Sequence, residues 1–338
     1  MAHFLITGGA GYIGSVLVPR LLAEQHRVTV IDCFYFGQTT PAQHPALTCI
    51  EQDSRHISLT QLKGVDVVID LAAMSNDPCG ETFKTLTWEV NYRARARTAR
   101  LARKAGVSRY ILPSSCSVYG FQPEQVDEQS ATNPLTTYAR ANLKAEQDIL
   151  PLASESFCVI VLRLATVFGY SPRMRLDLVV NAMTYNAYKH GEIIIHGGGT
   201  QYRPLVHIKD VASAMICTAK APTKIINGEI YNVGTESLNC QINNIAWQVQ
   251  QQLHKKGRPI QIIHNGPQDL RSYQVSFTKI QAHCSWNSHH KLNKEIQYLI
   301  EGLDNKRINI DERCYTLNWY QRIFMATGTR PMKATTLT

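Results

Sequence analysis

Thr7-Gly8-Gly9-Ala10-Gly11-Tyr12-Ile13-Gly14 is the stretch that decides how this chain is read. Gly8, Gly11 and Gly14 stand three apart. They follow the apolar run His3–Thr7 directly and precede a helical pattern over Gly14–Gln25. Glycines there permit a tight turn and close backbone approach to a ligand. The helix start just beyond adds N–H groups and the positive end of a dipole, a setting suited to a pyrophosphate.

A glycine triplet alone is a weak signal. Here the next apolar run, Val28–Ile31, ends at Asp32, eighteen residues after Gly14. A carboxylate at that place accepts both ribose hydroxyls of NAD and repels the additional phosphate of NADP. Gly8, Gly11, Tyr12, Ile13, Gly14 and Asp32 are therefore the expected cofactor contacts. Further strand-like runs at Val65–Leu71, Tyr110–Leu112 and Val159–Leu162 alternate with helical patterns at Tyr92–Ala105 and Tyr138–Leu152. Such alternation predicts an α/β fold: a Rossmann-type doubly wound parallel sheet. After Phe168-Gly169 the regularity weakens, which predicts a smaller C-terminal α/β lobe for substrate. The expected division is a cofactor domain over 1–165, completed by about 205–235, a substrate lobe over 166–204 and 236–332, and a loose tail at 333–338.

Lys and Arg number 35 against 26 Asp and Glu, a net charge of +9, with 44% hydrophobic and 18% charged residues. That composition supplies a core and excludes a disordered chain. No apolar run reaches the roughly 18 residues of a membrane span. The N-terminus reads as a first strand rather than a signal peptide. Nine scattered cysteines without a CxxC pair argue against a disulfide framework or zinc site and for a reducing cytoplasm. The densest basic run, Arg93, Arg95, Arg97, Arg100, Arg103 and Lys104, reads as a solvated helix face and not a nucleic-acid stripe. His289-His290 reads as a solvated pair with no metal, and Cys116 as a small buried thiol.

The chain resembles the extended short-chain dehydrogenase/reductase family, in its nucleotide-sugar epimerase/dehydratase branch. The matching pieces run in order: the glycine loop, Asp53-Ser54-Arg55, Leu71-Ala72-Ala73, Asn91, Ser114-Ser115-Cys116-Ser117-Val118-Tyr119-Gly120, and Tyr138. Arg203-Pro204-Leu205-Val206-His207, Asp210-Val211-Ala212 and Tyr231-Asn232-Val233-Gly234 complete them. The resemblance implies that Asp53, Ser54, Leu71, Ala72, Ala73, Asn91 and Tyr138 also meet the cofactor. It makes Tyr138 the base that takes a sugar hydroxyl proton and Ser115 its hydrogen-bonding partner. Ser75, Asn76, Ser115, Thr166, Asn181, Arg203 and Arg271 are the implied contacts to a nucleoside-diphosphate sugar, the two arginines clamping the diphosphate. A homodimer built on the helices near Asn91 and Tyr138 is implied as well.

The departure is at Asn142. The family pattern is Tyr-x-x-x-Lys, and this chain reads Tyr138-Ala139-Arg140-Ala141-Asn142. A cation about 5 Å from the phenol is worth about 3 kcal/mol, roughly two pK units. Asn142 keeps a hydrogen bond for the ribose and lacks the charge. Lys144 sits about 240° around the helix from Tyr138 and does not replace it. The expectation is an impaired base, relieved by Asn142→Lys. An introduced change, a slow or altered enzyme and an inactive relative all remain open. Cys116 and Ser117 stand where eliminating and decarboxylating relatives carry an acid, so simple redox at the sugar is favoured. The expected activity is NAD-dependent epimerisation, most simply at C4; the alternative is NAD(P)-dependent 4-ketosugar reduction.

Overall fold

The computed structural model describes residues 1–39, 44–266 and 271–326, so the tail expected at 333–338 lies outside them. The strands are β1 (His3–Thr7), β2 (Arg27–Asp32), β3 (Leu47–Glu51), β4 (Val67–Asp70), β5 (Arg109–Ser115), β6 (Phe121–Val126) and β7 (Cys158–Leu164). They continue with β8 (Thr166–Phe168), β9 (Glu192–His196), β10 (Tyr202–His207), β11 (Glu229–Val233), β12 (Asn239–Gln241), β13 (Gln261–Asn265) and β14 (Ser272–Val275).

Side by side, β11, β7, β5, β4, β1, β2 and β3 make one seven-stranded sheet. Every pairing in it is parallel. Alternate side chains explain why both faces are covered. Phe4 and Ile6 of β1 point into a core with Leu17, Val18 and Leu21 of the Gly14–Ala23 helix and Met215 of the Ile208–Lys220 helix. Leu5 points the other way, toward Ala96, Ala99 and Ala102 of the Arg95–Ala105 helix and Ile149 of the Thr137–Ile149 helix. Strand order reverses at β1, with β2 on one side and β4 on the other. A doubly wound sheet opens a crevice at that switch point, outside the carboxyl ends of its strands.

The second lobe packs β8, β10 and β12 together and pairs β9 with β13. Its own core holds Phe168, Ile193, Leu205, Ile245, Val249 and Ile296. The two regions are interleaved more than a boundary at 166 suggests, because β6 pairs in parallel with β14. β11 returns the chain to the main sheet, pairing in parallel with β7. No helix of the described residues is long and apolar enough to cross a membrane.

Two readings of charged groups are corrected. Of the basic run, Arg93, Arg97, Arg100, Arg103 and Lys104 are exposed as expected, but Arg95 is only 3% exposed. It follows a π-helical turn, Glu89–Ala94, and lies about 200° around the helix from Arg93. His290 is not simply solvated either. Its Nδ1 lies 2.8 Å from Asp210, and its ring stacks on His207 at 4.1 Å. His207, Asp210 and His290 thus bring three potential ligand atoms within 4.8 Å of one another.

Candidate active site

A cavity of about 790 Å³ opens at the switch point and runs beneath the second lobe. Its floor begins at the glycine loop. Gly8 holds a left-handed φ of +64°, and a Cβ there would lie 2.8 Å from the Ala72 backbone nitrogen. At Gly14 a Cβ would lie 2.4 Å from the Gly9 carbonyl oxygen. No side chain caps the helix that starts there; the N–H groups of Ser15 and Val16 turn back to the carbonyls of Gly11 and Ile13, so the positive end of the helix dipole, rather than a row of free donors, is what a ligand would meet. Asp32 ends β2 with Oδ2 accepting from Ala10 N–H at 2.9 Å and Oδ1 from Phe34 N–H at 2.8 Å. Burial pushes its carboxyl above the usual range, and those amides pull it back. Asp53 forms an ion pair with Arg55 at 2.7 Å and caps the Ser54–His56 turn. Leu71, Ala72 and Ala73 line the cavity at the end of β4, where Ala72 N–H donates to Thr7 Oγ1 at 3.0 Å. An open glycine cradle, a helix start with no side-chain cap and a carboxylate at the end of the second strand form a set that fits a dinucleotide.

Tyr138 and Ser115 meet deeper in the cavity. The Thr137–Ile149 helix starts where it does because Thr136 Oγ1 accepts from Ala139 N–H at 3.2 Å. Thr136 donates in turn to Asp77 at 2.6 Å, and Thr137 N–H to Glu81 at 2.7 Å. These bonds fix the turn that carries Tyr138. Ser115 ends β5, its hydroxyl accepting from Ser117 N–H at 3.1 Å and lying near enough to the Tyr138 phenol to pull it down slightly. Burial pushes the Tyr138 phenol above its ordinary value, Asp77 adds to that, and Arg95 and Arg175 pull it down. Cys116 is buried, its thiol donating to the Arg163 carbonyl.

Of the remaining expected contacts, Ser75, Asn76, Thr166, Arg203 and Arg271 line the cavity. Asn76 has a φ of +87° and donates to Asp177 at 2.5 Å. Arg203 donates to the Arg271 carbonyl, and Arg271 pairs with Asp77 across the cavity. Three expected contacts stand behind the wall instead. Asn91 bonds both backbone groups of Met74, at 2.8 and 3.1 Å, holding the segment after β4. Asn181 accepts from Gly169 N–H at 3.0 Å and donates to the Tyr12 hydroxyl at 3.1 Å. Asn142, expected to reach a ribose, is only 1% exposed. It donates to the Tyr138 carbonyl at 3.0 Å and accepts from Arg95 at 2.8 Å. Buried amides of this kind complete their hydrogen bonds within the protein.

Sequence reasoning missed Arg95, Arg173, Arg175, Asp177 and Tyr320, all of which line the cavity. Arg175 pairs with Asp177 at 2.6 Å. Burial brings Arg173 down to about 10, and its guanidinium lies 3.7 Å from the centre of the Phe36 ring. For Arg173, Arg175 and Asp177 the visible signal was the close spacing of Arg173-Met174-Arg175-Leu176-Asp177. Nothing in spacing tied Tyr320, from the Thr316–Ala326 helix, to the end of β2.

The model of the NAD dependent epimerase/dehydratase family matches residues 4–234, and the chain belongs to that family. It is similar to a UDP-N-acetyl-alpha-D-glucosaminuronate decarboxylase of Bacillus cytotoxicus, 26% identical over 306 residues, covering 84% of this chain and 92% of the relative. A solved structure of MoeE5 in complex with UDP-glucuronic acid and NAD matches with a TM-score of 0.80 and 26% identity, over 90% of this chain and 100% of that one. The fold also matches a UDP-glucuronic acid 4-epimerase from Bacillus cereus, with a TM-score of 0.78 and 22% identity, over 90% and 99%. NAD is the cofactor of this family of enzymes. The relatives' names span decarboxylation and epimerisation, so they define the family and not the reaction.

Proposed function

We propose that the protein is an NAD-dependent nucleotide-sugar epimerase that oxidises and re-reduces a sugar hydroxyl, at C4. The observation that carries this reading is the meeting of Tyr138 and Ser115 between the dinucleotide cradle and an arginine-lined lobe, with serine at position 117. The bound dinucleotide supplies a reversible hydride acceptor. Tyr138 takes the hydroxyl proton and returns it after the sugar presents its other face. Ser115 hydrogen-bonds the same oxygen and the phenol. Beyond the cofactor cradle, the carboxylates that line the cavity among the described residues are held by arginines, Asp77 by Arg271 and Asp177 by Arg175. None is left to protonate a departing water, which disfavours elimination. Gly8, Gly11, Tyr12, Ile13, Gly14, Asp32, Asp53, Ser54 and Leu71 to Ala73 would hold the cofactor. Ser75, Asn76, Thr166, Arg203 and Arg271 would hold the nucleotide sugar. The enzyme works in the cytoplasm as a homodimer through the Arg95–Ala105 and Thr137–Ile149 helices.

The test is incubation of the purified protein, with NAD, against a panel of UDP and dTDP sugars, read by proton NMR. Appearance of a C4 epimer with no net change in NADH is the expected result. Consumption of NAD(P)H with a 4-ketosugar would establish the reductase instead. Binding without turnover of any sugar would establish an inactive relative.

A further inference from the structure

Two guanidinium groups reach the cavity without a carboxylate within ion-pair distance among the described residues, Arg95 and Arg173. A buried cation without a counter-charge is costly, and proteins keep one mainly where it acts on something else. Arg95 is the better defined. It is 3% exposed, its Nη1 donates to Asn142 Oδ1 at 2.8 Å, and its Nε donates to the Ala72 carbonyl at 3.2 Å. Those two partners are the residue four on from Tyr138 and the strand end under the cofactor site. The guanidinium therefore lies between the Tyr138 helix and β4.

We propose that Arg95 is the cation that serves Tyr138 in this protein, and that Asn142 is its orienting partner rather than a gap in the motif. This rests on the reading of Tyr138 as the base. A lysine at 142 would bring its charge from the same helix as the phenol. Here the charge comes from the neighbouring helix, and the residue at 142 must then be a neutral acceptor. Asn142 meets that need: its oxygen takes the Arg95 donor, and its amide is anchored on the Tyr138 carbonyl. A lysine there would face a second buried cation. The π-turn just before Arg95 sets the phase of the helix that aims it inward.

The charged and polar groups facing Tyr138 come from four elements: Arg95, Asp77 of the Asp77–Thr82 helix, Arg175 of the segment before Val179, and Ser115 of β5. Asp77 and Arg175 each carry an opposite charge beside them, Arg271 and Asp177. Arg95 is the cation among the four with no carboxylate in ion-pair contact among the described residues; the buried Asp70 close by is engaged by Thr7 and Tyr110. A guanidinium at this place also offers donors to the hydroxyls of a ribose bound over Ala72.

The experiment compares the parent with Arg95→Met, Asn142→Lys and the exchange Arg95→Thr with Asn142→Lys, using exposed Arg100→Gln as control. Difluorotyrosine placed at position 138 reports the phenol by fluorine NMR, with no sugar present. Arg95→Met should raise the titration midpoint by about one pH unit or more. It should weaken NAD binding, and it should cut turnover at pH 7 by ten-fold or more with recovery at higher pH. Its thermal midpoint should hold or rise, since an unpaired buried charge is removed, whereas a merely structural arginine would lower it. Asn142→Lys alone should not accelerate turnover, and the exchange should restore both the titration and the rate. An unmoved midpoint in Arg95→Met, or a faster Asn142→Lys enzyme that tolerates loss of Arg95, overturns the proposal. Full activity in Tyr138→Phe would instead defeat the reading of the base. A dead Tyr138→Phe beside an unchanged Arg95→Met defeats this inference alone.

Discussion

A phenol, a hydroxyl and a guanidinium share the deep end of the cavity, and they differ in how far the sequence around each announces it. Tyr138 and Ser115 were legible because their neighbours in sequence carry a pattern. Asn142 was legible as a departure, but its partner was not, because Arg95 sits 47 residues away. The signal for Arg95 was its phase: Arg93, Arg97, Arg100 and Lys104 share one helical face, and Arg95 does not. Tyr138→Phe should lower kcat by about 10² to 10⁴ while leaving NAD affinity near the parent's, since the phenol acts in proton transfer. Turnover assays beside calorimetric titration of NAD check both halves. Equal loss of cofactor binding would make Tyr138 a contact rather than a base.

Among elements, the glycine loop and the strands beside β1 followed from the apolar runs, whose β-branched residues fill both faces of the sheet. β3 escaped notice because Leu47–Glu51 lies at the sheet edge with no fully buried residue to mark it. β6 escaped because its partner β14 lies far along the chain, a pairing with no local signature. Within the loop, two glycines serve different ends. A Cβ on Gly14 would strike the Gly9 carbonyl, whereas a Cβ on Gly11 meets only the Gly8 carbonyl at 3.0 Å and otherwise faces the cavity. Gly14→Ala should therefore lower the thermal midpoint by several degrees. Gly11→Ala should spare most of the stability and weaken NAD binding by ten-fold or more. Differential scanning calorimetry with and without NAD separates the two, and equal effects on both quantities would refute the distinction.

At the scale of the molecule, the two lobes are tied by polar contacts that composition does not reveal. Asp210 accepts from Ser288 Oγ at 2.7 Å and meets His290 at 2.8 Å, joining the Ile208–Lys220 helix to the segment before Leu292. Burial alone would raise its carboxyl, but the bonds from Ser288 and His290 outweigh burial and hold it below the usual aspartate value. A depressed folded pKa contributes stability that is present above the unfolded value, about 3.9, and is lost as pH falls through the folded one. Asp210→Asn should flatten the acid limb of stability below about pH 4. Urea unfolding at stepped pH measures it, and an unaltered limb would place the effect elsewhere. The contact between Arg271 and Asp77 spans the cavity in the same way, and it turns ligand entry into a competition between anions. A diphosphate that takes Arg271 must evict a carboxylate already seated there, so the exchange gains no net charge pair. Affinity should then depend on salt less than the arginine count suggests. Asp77→Asn should tighten nucleotide-sugar binding and steepen its salt dependence, with the displaced Asp77 acting in the parent as a built-in competitor that keeps product from lingering.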